Sequence, residues 1–451
     1  LKRFLTAELA HWKEQARRKP LVLRGARQVG KTWTVLDFGR THFEGRVHHV
    51  DLEKRTDWHR IFDGDLAASR VLSELELLLN RRIVPGRDLL FLDEIQSAPR
   101  ALMALRYFYE ECPDLHVIAA GSLLEFAMGR ISFPVGRVQF LTMQPMSFAE
   151  FLLATGKDLA AEVVLGRPCR QAATVHDMLL GELRSYMFVG GMPECVLTFA
   201  RTGKLAEAFE VQAELAHSYR HDFSKYAPHS DRRCLDAVFV SVARNVGRQV
   251  KYARLAEGFA NSTIKKAFDL LCLAQVVRRV PSAAPSGLPL AASASQKRFK
   301  ALLVDIGLMQ HLCGMHVPSE YAKKDLLDVY EGAMAEQFVG QELSAGGQEA
   351  LYYWAREAKS STAEVDFLAV TGGRILPIEV KSGPSGRLRS LHLLLRTFPN
   401  CPKGFVLSTG PYDELPDERL VFVPLYYAGS LVRDGASQGN GLSQKHGVGC
   451  R

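Results

Sequence analysis

Residues Gly25, Ala26, Arg27, Gln28, Val29, Gly30, Lys31 and Thr32 place two glycines, a lysine and a hydroxyl in the spacing G-x-x-x-x-G-K-[ST]. Glycines at these positions let a backbone curl until its N–H groups converge on one point, which is how a chain cradles phosphate at a helix N-terminus. Lys31 would reach the β- and γ-phosphates of a nucleoside triphosphate, and the Thr32 hydroxyl would ligate Mg²⁺. Average glycine usage yields about 0.01–0.02 such matches by chance in a chain this long. The run Leu89-Leu90-Phe91-Leu92-Asp93-Glu94 is a second arrangement, an apolar stretch delivering two adjacent carboxylates. At the C-terminal edge of a buried strand, Asp93 would hold Mg²⁺ through water and Glu94 would orient or deprotonate the attacking water. Alone, two acids after a strand describe an ordinary solvated strand end; after a phosphate loop they describe a hydrolytic site. A further apolar run ends in Ala120-Gly121-Ser122. Ser122 could sense a terminal phosphate or simply cap the next helix.

Farther along, Ala363–Val370 and Ile375–Lys381 flank Thr371-Gly372-Gly373-Arg374, a strong turn signal, and so predict a β-hairpin. Alternation puts Glu379 and Lys381 on one face, and Asp366 on the partner strand can point the same way. Two carboxylates there could hold Mg²⁺ beside a scissile phosphate, with Lys381 stabilising charge or helping to activate water. The E-x-K spacing arises by chance about once in a chain of this size, and salt-bridged surface hairpins share it.

The elements that must position these residues can be read from periodicity. Leu5, Leu9, Trp12 and Ala16 mark a basic amphipathic first helix, ended at Lys19-Pro20. From Leu21 to about Leu165, short apolar runs alternate with helical stretches, which predicts βα units on a mostly parallel sheet. Residues 166–280 read as helices, with Ser262–Lys266 like the start of the second helix of a helix-turn-helix, and Pro281–Gln296 as a loop or wing. A third, αβ region follows. The expected division is 1–165, 166–298, 299–430 and a Gly/Ser-rich, disordered tail at 431–451. The fold class is therefore α/β, a parallel sheet followed by a helical, winged-helix-like middle and an αβ C-terminal domain.

At 451 residues the chain exceeds one hydrophobic core. Its 47% hydrophobic and 24% charged content excludes wholesale disorder, and its mean hydropathy of −0.05 goes with the absence of any run long enough to span a membrane. The net charge of +8 suits phosphate-bearing partners. Eight scattered cysteines without a C-x-x-C pair, and a charged start without a secretory leader, lead to the expectation of a cytoplasmic location.

Taken together, Arg27–Thr32, Leu92-Asp93-Glu94-Ile95-Gln96 and Ala120-Gly121-Ser122 resemble a large prokaryotic family of AAA-type ATPases. Its members end in an uncharacterised domain with a nuclease-like core. Val189-Gly190-Gly191-Met192-Pro193-Glu194, Tyr219 with Asp222, Val304-Asp305-Ile306-Gly307-Leu308, Val365-Asp366 and Glu379-Val380-Lys381 extend the resemblance to about Tyr427. It implies ATP as the nucleotide, a winged-helix middle and a restriction-endonuclease-like end. In this class an arginine such as Arg137, or Arg130 in competition with it, often serves the phosphates of a neighbouring subunit, which would require a homo-oligomer; both are otherwise ordinary surface arginines. The D…E-x-K layout resembles the PD-(D/E)xK nuclease superfamily, with Val365 where proline often precedes the acid. Glu336, in Gly332–Val339, matches that family's helical acid and would join Asp366 and Glu379 as a metal ligand.

The expectation is an ATP-binding, Mg²⁺-dependent ATPase whose nucleotide state controls a DNA-directed, nuclease-like C-terminal domain, whether or not that domain cuts. The alternative is a non-cleaving, ATP-dependent regulatory or nucleic-acid-binding scaffold. Smaller features carry two readings each. Tyr352-Tyr353-Trp354 could stack on bases or fill a core, and Lys265, Lys266, Arg278 and Arg279 could contact phosphates or line a solvated face. Gly190-Gly191 reads as a turn with no chemistry.

Overall fold

Apolar runs of four to six residues, separated by helices, build a five-stranded sheet in the first part of the chain. The strands are β1 (Leu21–Arg24), β2 (Val47–Asp51), β3 (Leu89–Asp93), β4 (His116–Gly121) and β5 (Gln139–Thr142), in the order β2-β3-β4-β1-β5. Every pairing is parallel. Helices cover both faces of such a sheet, which is why β3 and β4 read as unbroken apolar runs and are buried throughout. Leu90, Leu92, Val117 and Ala119 pack with Val71, Leu75, Leu102 and Leu105 of the flanking helices in one core. β1 lies between β4 and β5, and its chain turns directly into the helix Lys31–His42.

The computed structural model describes residues 1–128, 136–226, 230–314, 332–356, 363–381 and 388–433. Arg130 and the tail beyond residue 433 lie outside them. Residues 1–144, with two short later segments, form one compact unit, and the remaining chain forms a second.

The second unit begins with helices, among them Ala173–Val189, Leu205–Tyr226, Arg232–Arg244 and Asn261–Leu273. After the last of these, β6 (Val277–Pro281) pairs antiparallel with β7 (Phe299–Leu303). The segment expected to be a loop or wing therefore connects two paired strands, and the expected boundary at 298/299 falls inside this hairpin. Lys265 and Lys266 are exposed. Arg279 is tied down instead, donating to Asp269 at 2.6 Å and lying over the Phe268 and Phe299 rings.

A mixed six-stranded sheet follows, made of β8 (Tyr352–Ala355), β9 (Glu364–Thr371), β10 (Arg374–Val380), β11 (Gly404–Ser408), β12 (Asp413–Leu415) and β13 (Leu420–Pro424). Its order is β12-β13-β11-β10-β9-β8. β9 and β10 form the expected hairpin, with Thr371 opposite Arg374 and Phe367 opposite Ile378. Just past the last of these pairs, the Val380 amide donates to Asp366 Oδ2 at 2.9 Å. Trp354 packs with Leu391, Leu394 and Leu395 of the helix Arg389–Thr397, and Tyr353 is fully buried, so these two aromatics fill core.

Two motifs that were separate in sequence meet here. The Gly191 amide donates to Asp305 at 2.6 Å, while the Asp305 carboxylate also caps the helix Ile306–Leu312 through the Leu308 amide. A methyl group added at Gly191 would lie 2.2 Å from the Met146 carbonyl oxygen. The glycine pair is thus the surface on which a buried, acid-capped helix start seats.

Candidate functional site: the phosphate loop and the carboxylate clusters

At the C-terminal edge of the parallel sheet, β1 opens into the loop Gly25–Gly30. Gly25 has φ +153°, and a side chain there would strike the Met143 carbonyl oxygen at 2.4 Å, so only glycine allows this close pass. Gln28 and Gly30 also have positive φ, which turns the loop back toward the helix it precedes. Lys31 is buried at the first position of that helix and donates to the carbonyls of Gly25 at 2.9 Å and Ala26 at 2.8 Å. Burial brings its pKa down to about 8, against the opposing pull of Glu94 and Asp93. Arg27 reaches Glu53 at 3.7 Å, and Val29 is fully buried.

Thr32 and Asp93 lie 61 positions apart in the chain, yet the Thr32 hydroxyl donates to Asp93 Oδ2 at 2.8 Å. His49 Nε2, from β2, stands 3.3 Å from the same oxygen, and the Glu94 amide donates to Asp93 Oδ1 at 3.1 Å. Glu94 adopts a left-handed backbone conformation (φ +48°), which ends β3 abruptly, and its carboxylate accepts from Gln96. Ser122 follows β4 immediately and is only 2% exposed, with no hydrogen-bond partner for its hydroxyl among the described residues. A buried hydroxyl without a partner is costly in a finished core and suits a position completed by a ligand. Arg137, by contrast, is engaged on the surface, donating to Glu110 at 3.0 Å. Sequence reasoning did not single out His49, whose only signal was its position on the strand beside β3, and it quoted Gln96 within the Leu92–Gln96 motif without giving it a role.

The second unit brings Glu336, Asp366, Glu379 and Lys381 together, and adds two residues that sequence reasoning missed. Lys300, on β7, is 2% exposed and donates to Glu336 Oε2 at 3.0 Å and Asp366 Oδ1 at 3.1 Å, and pairs with Glu364 Oε1 at 2.5 Å. Glu364 and Asp366, two apart on β9, share a face. Lys381 Nζ pairs with Glu379 Oε1 at 2.6 Å, and the Val380 amide donates to Asp366 Oδ2 at 2.9 Å. Burial works against charge on Lys300, but Asp366, Glu336 and Glu364 around it lift its pKa well above the ordinary lysine value. Burial, reinforced by the Asp366 charge, pushes Glu336 up to about 8 and Glu379 up to about 7. Among the described residues no group of three or more His, Cys, Asp or Glu side chains is arranged to hold a metal ion. The three acids expected to bind Mg²⁺ here do converge, but Glu336 and Asp366 converge on an ammonium. As placed, this donor set does not fit a divalent cation.

Three family profiles match successive parts of the chain. Residues 17–152 match an AAA domain, residues 180–319 a domain of unknown function (DUF8612), and residues 331–427 a second domain of unknown function (DUF4143). No curated protein matches the chain. Among solved structures, the chain is similar to a Walker-type ATPase of Pyrococcus abyssi at 16% identity and TM-score 0.41, over 68% of this chain and 94% of that one. It is also similar to the Thermotoga maritima RuvB Holliday junction branch migration motor, at 16% identity and TM-score 0.31, over 61% and 89%. A third likeness is the Aeropyrum pernix ORC1 protein in complex with DNA, at 14% identity and TM-score 0.25, over 70% and 93%. These structural likenesses are loose, and the matched domain is the firmer finding. Residues 17–152 match an AAA domain, and they carry the five-stranded parallel sheet and the loop that follows β1.

Proposed function

We propose that the AAA domain binds ATP with Mg²⁺ at residues 25–32 and hydrolyses it. The observation that carries this reading is the 2.8 Å contact between the Thr32 hydroxyl and Asp93, which joins the loop to the acidic strand end. Both groups are hard oxygen donors, suited to Mg²⁺, which would neutralise charge on the phosphate oxygens. The amides of the Gly25–Gly30 turn would receive the phosphates, and Lys31 would exchange its two loop carbonyls for phosphate oxygens. Glu94 would orient or deprotonate the attacking water, and the unpartnered Ser122 hydroxyl would hydrogen-bond a terminal phosphate. Calorimetric titration with ATP, alongside turnover of Glu94→Gln, tests the proposal. Micromolar binding retained by Glu94→Gln with turnover lost is the expected pair of results. Absence of nucleotide binding by the parent chain would refute it.

We propose further that the nucleotide state controls the C-terminal domain, with its nuclease-like D…E-x-K layout and DNA as the candidate partner. Between the cleaving and the non-cleaving versions, Lys300 favours the second. Its ammonium lies among the acids that would otherwise bind the metal needed to activate water. Mg²⁺-dependent DNA degradation by the parent chain, lost in Asp366→Asn, would restore the cleaving version. Arg137 serving a neighbouring subunit would require it to leave Glu110, and a mass measurement with and without ATP tests for that assembly.

A further inference from the structure

Three carboxylate oxygens in the second unit point at one small volume. They come from Glu336 on the helix Ala333–Ala345 and from Glu364 and Asp366 on β9, and they stand 2.5–3.1 Å from a single nitrogen. Three oxygens from two elements converging in this way resemble the donor set a hard divalent cation uses, after a contraction of some tenths of an ångström. The nitrogen belongs to Lys300. We infer that the Lys300 ammonium is a built-in cation standing where a divalent metal would stand, so that this nuclease-like centre is closed to metal and the unit holds its acids together without one.

Several independent placements carry the inference. Lys300 does not belong to the sheet that supplies the acids on β9; it reaches them from β7, which pairs with β6 in a separate two-stranded sheet. Its ammonium lies 5.4 Å from the centre of the buried Tyr353 ring, and with the side chain 3% exposed an ion has no room unless the lysine leaves. Gly247 closes another side, since a methyl group added there would lie 2.9 Å from Glu336 Oε1. Finally, Glu379, 7% exposed, gives one oxygen to Lys381 while its other, Oε2, is buried without a partner among the described residues. The cluster thus holds more acceptor capacity than its two lysines satisfy. Removing one positive side chain should therefore leave a set of acids able to take up a cation from solution.

The inference does not depend on nucleotide binding at residues 25–32, and its test is read in metal binding rather than in turnover. The full chain carrying Asp93→Asn, which removes the carboxylate beside the phosphate loop, is titrated with Mn²⁺ and free ion is followed by electron paramagnetic resonance. No Mn²⁺ site that depends on Asp366 is expected. Adding Lys300→Met should create one such site, visible also as a melting temperature that rises with Mn²⁺, and Asp366→Asn should remove it again. Mn²⁺ binding by the chain with native Lys300, abolished by Asp366→Asn, would overturn the inference without any change at Lys300. A folded Lys300→Met chain that takes up no Mn²⁺ would overturn it as well. Should that variant fail to fold, Lys300→Gln keeps a polar side chain of similar reach and is read in the same way.

Discussion

Each unit of this protein buries a lysine beside acidic side chains, and the two lysines are held in opposite ways. Lys31 rests on two backbone carbonyls, neutral acceptors of its own loop, and burial draws its pKa down to about 8. Lys300 is surrounded by three carboxylates, which outweigh the cost of burial and hold it charged. A lysine bonded to neutral oxygens can trade them for an anion at little loss, because the incoming phosphate offers stronger, charge-assisted bonds. A lysine bonded to three carboxylates already has its counter-charges and would leave them uncompensated if it moved. Similar side-chain chemistry therefore gives a cation held by neutral, exchangeable acceptors in one place and one fixed by counter-charges in the other.

The largest expected effect is in turnover, where Glu94→Gln should lower kcat about 10²–10⁴-fold with nucleotide affinity retained. Parent-like hydrolysis would remove Glu94 from the role given to it. Replacing each lysine by methionine comes next. Lys300→Met should destabilise the folded chain by about 3–5 kcal/mol in denaturant unfolding, since it strands buried carboxylates. Lys31→Met should instead leave unfolding within about 1 kcal/mol of the parent or raise stability, while nucleotide binding weakens about 10²-fold or more. Equal destabilisation by the two substitutions would erase the distinction.

The pH dependence should also run in opposite directions. The pKa of Lys31 is lowered on folding, so the stability associated with it is full above pH 10.5 and falls as pH drops through about 8. Those of Glu336 and Glu379 are raised on folding, so their contribution is full below pH 4.5 and is lost as pH rises through about 7 to 8. Glu336→Gln should flatten that second decline in a series of melting curves. The smallest effect is expected from Gly247→Ala, which crowds the Glu336 carboxylate at a backbone φ of +80°. A loss of about 1–3 kcal/mol in unfolding would place that glycine in the wall of the cluster.

How much of this was legible in the sequence depends on how local the chemistry is. The loop motif at residues 25–32 declares itself because glycine spacing, lysine and hydroxyl all fall within eight residues. Asp93 and Glu94 declare themselves because the four-residue apolar run Leu89–Leu92 reads as a buried strand, whose end must face the loop. The hairpin around Gly372-Gly373 was legible for the same reason, while of Asp366 the sequence said only that it can point to the side of Glu379 and Lys381. Lys300 was not. Its partners lie 36 to 66 positions away on other elements, and in Arg298-Phe299-Lys300 it reads as the charged start of a strand. The available signal was that Lys300 interrupts an otherwise apolar run, Phe299-Lys300-Ala301-Leu302-Leu303, which the structure buries at every position. The glycine pair at 190–191 was seen as a turn, but its partner Asp305 lies 114 residues later and no local pattern links them.

The bonds from Lys31 to Gly25 and Ala26 have a further effect on the loop. They staple the first residues of the bend to the start of the helix and so hold the curl of amides in shape. Under the proposed function, an arriving phosphate would meet a receptor already folded and would have only to displace two carbonyls from one amine, which would favour quick capture and quick resetting.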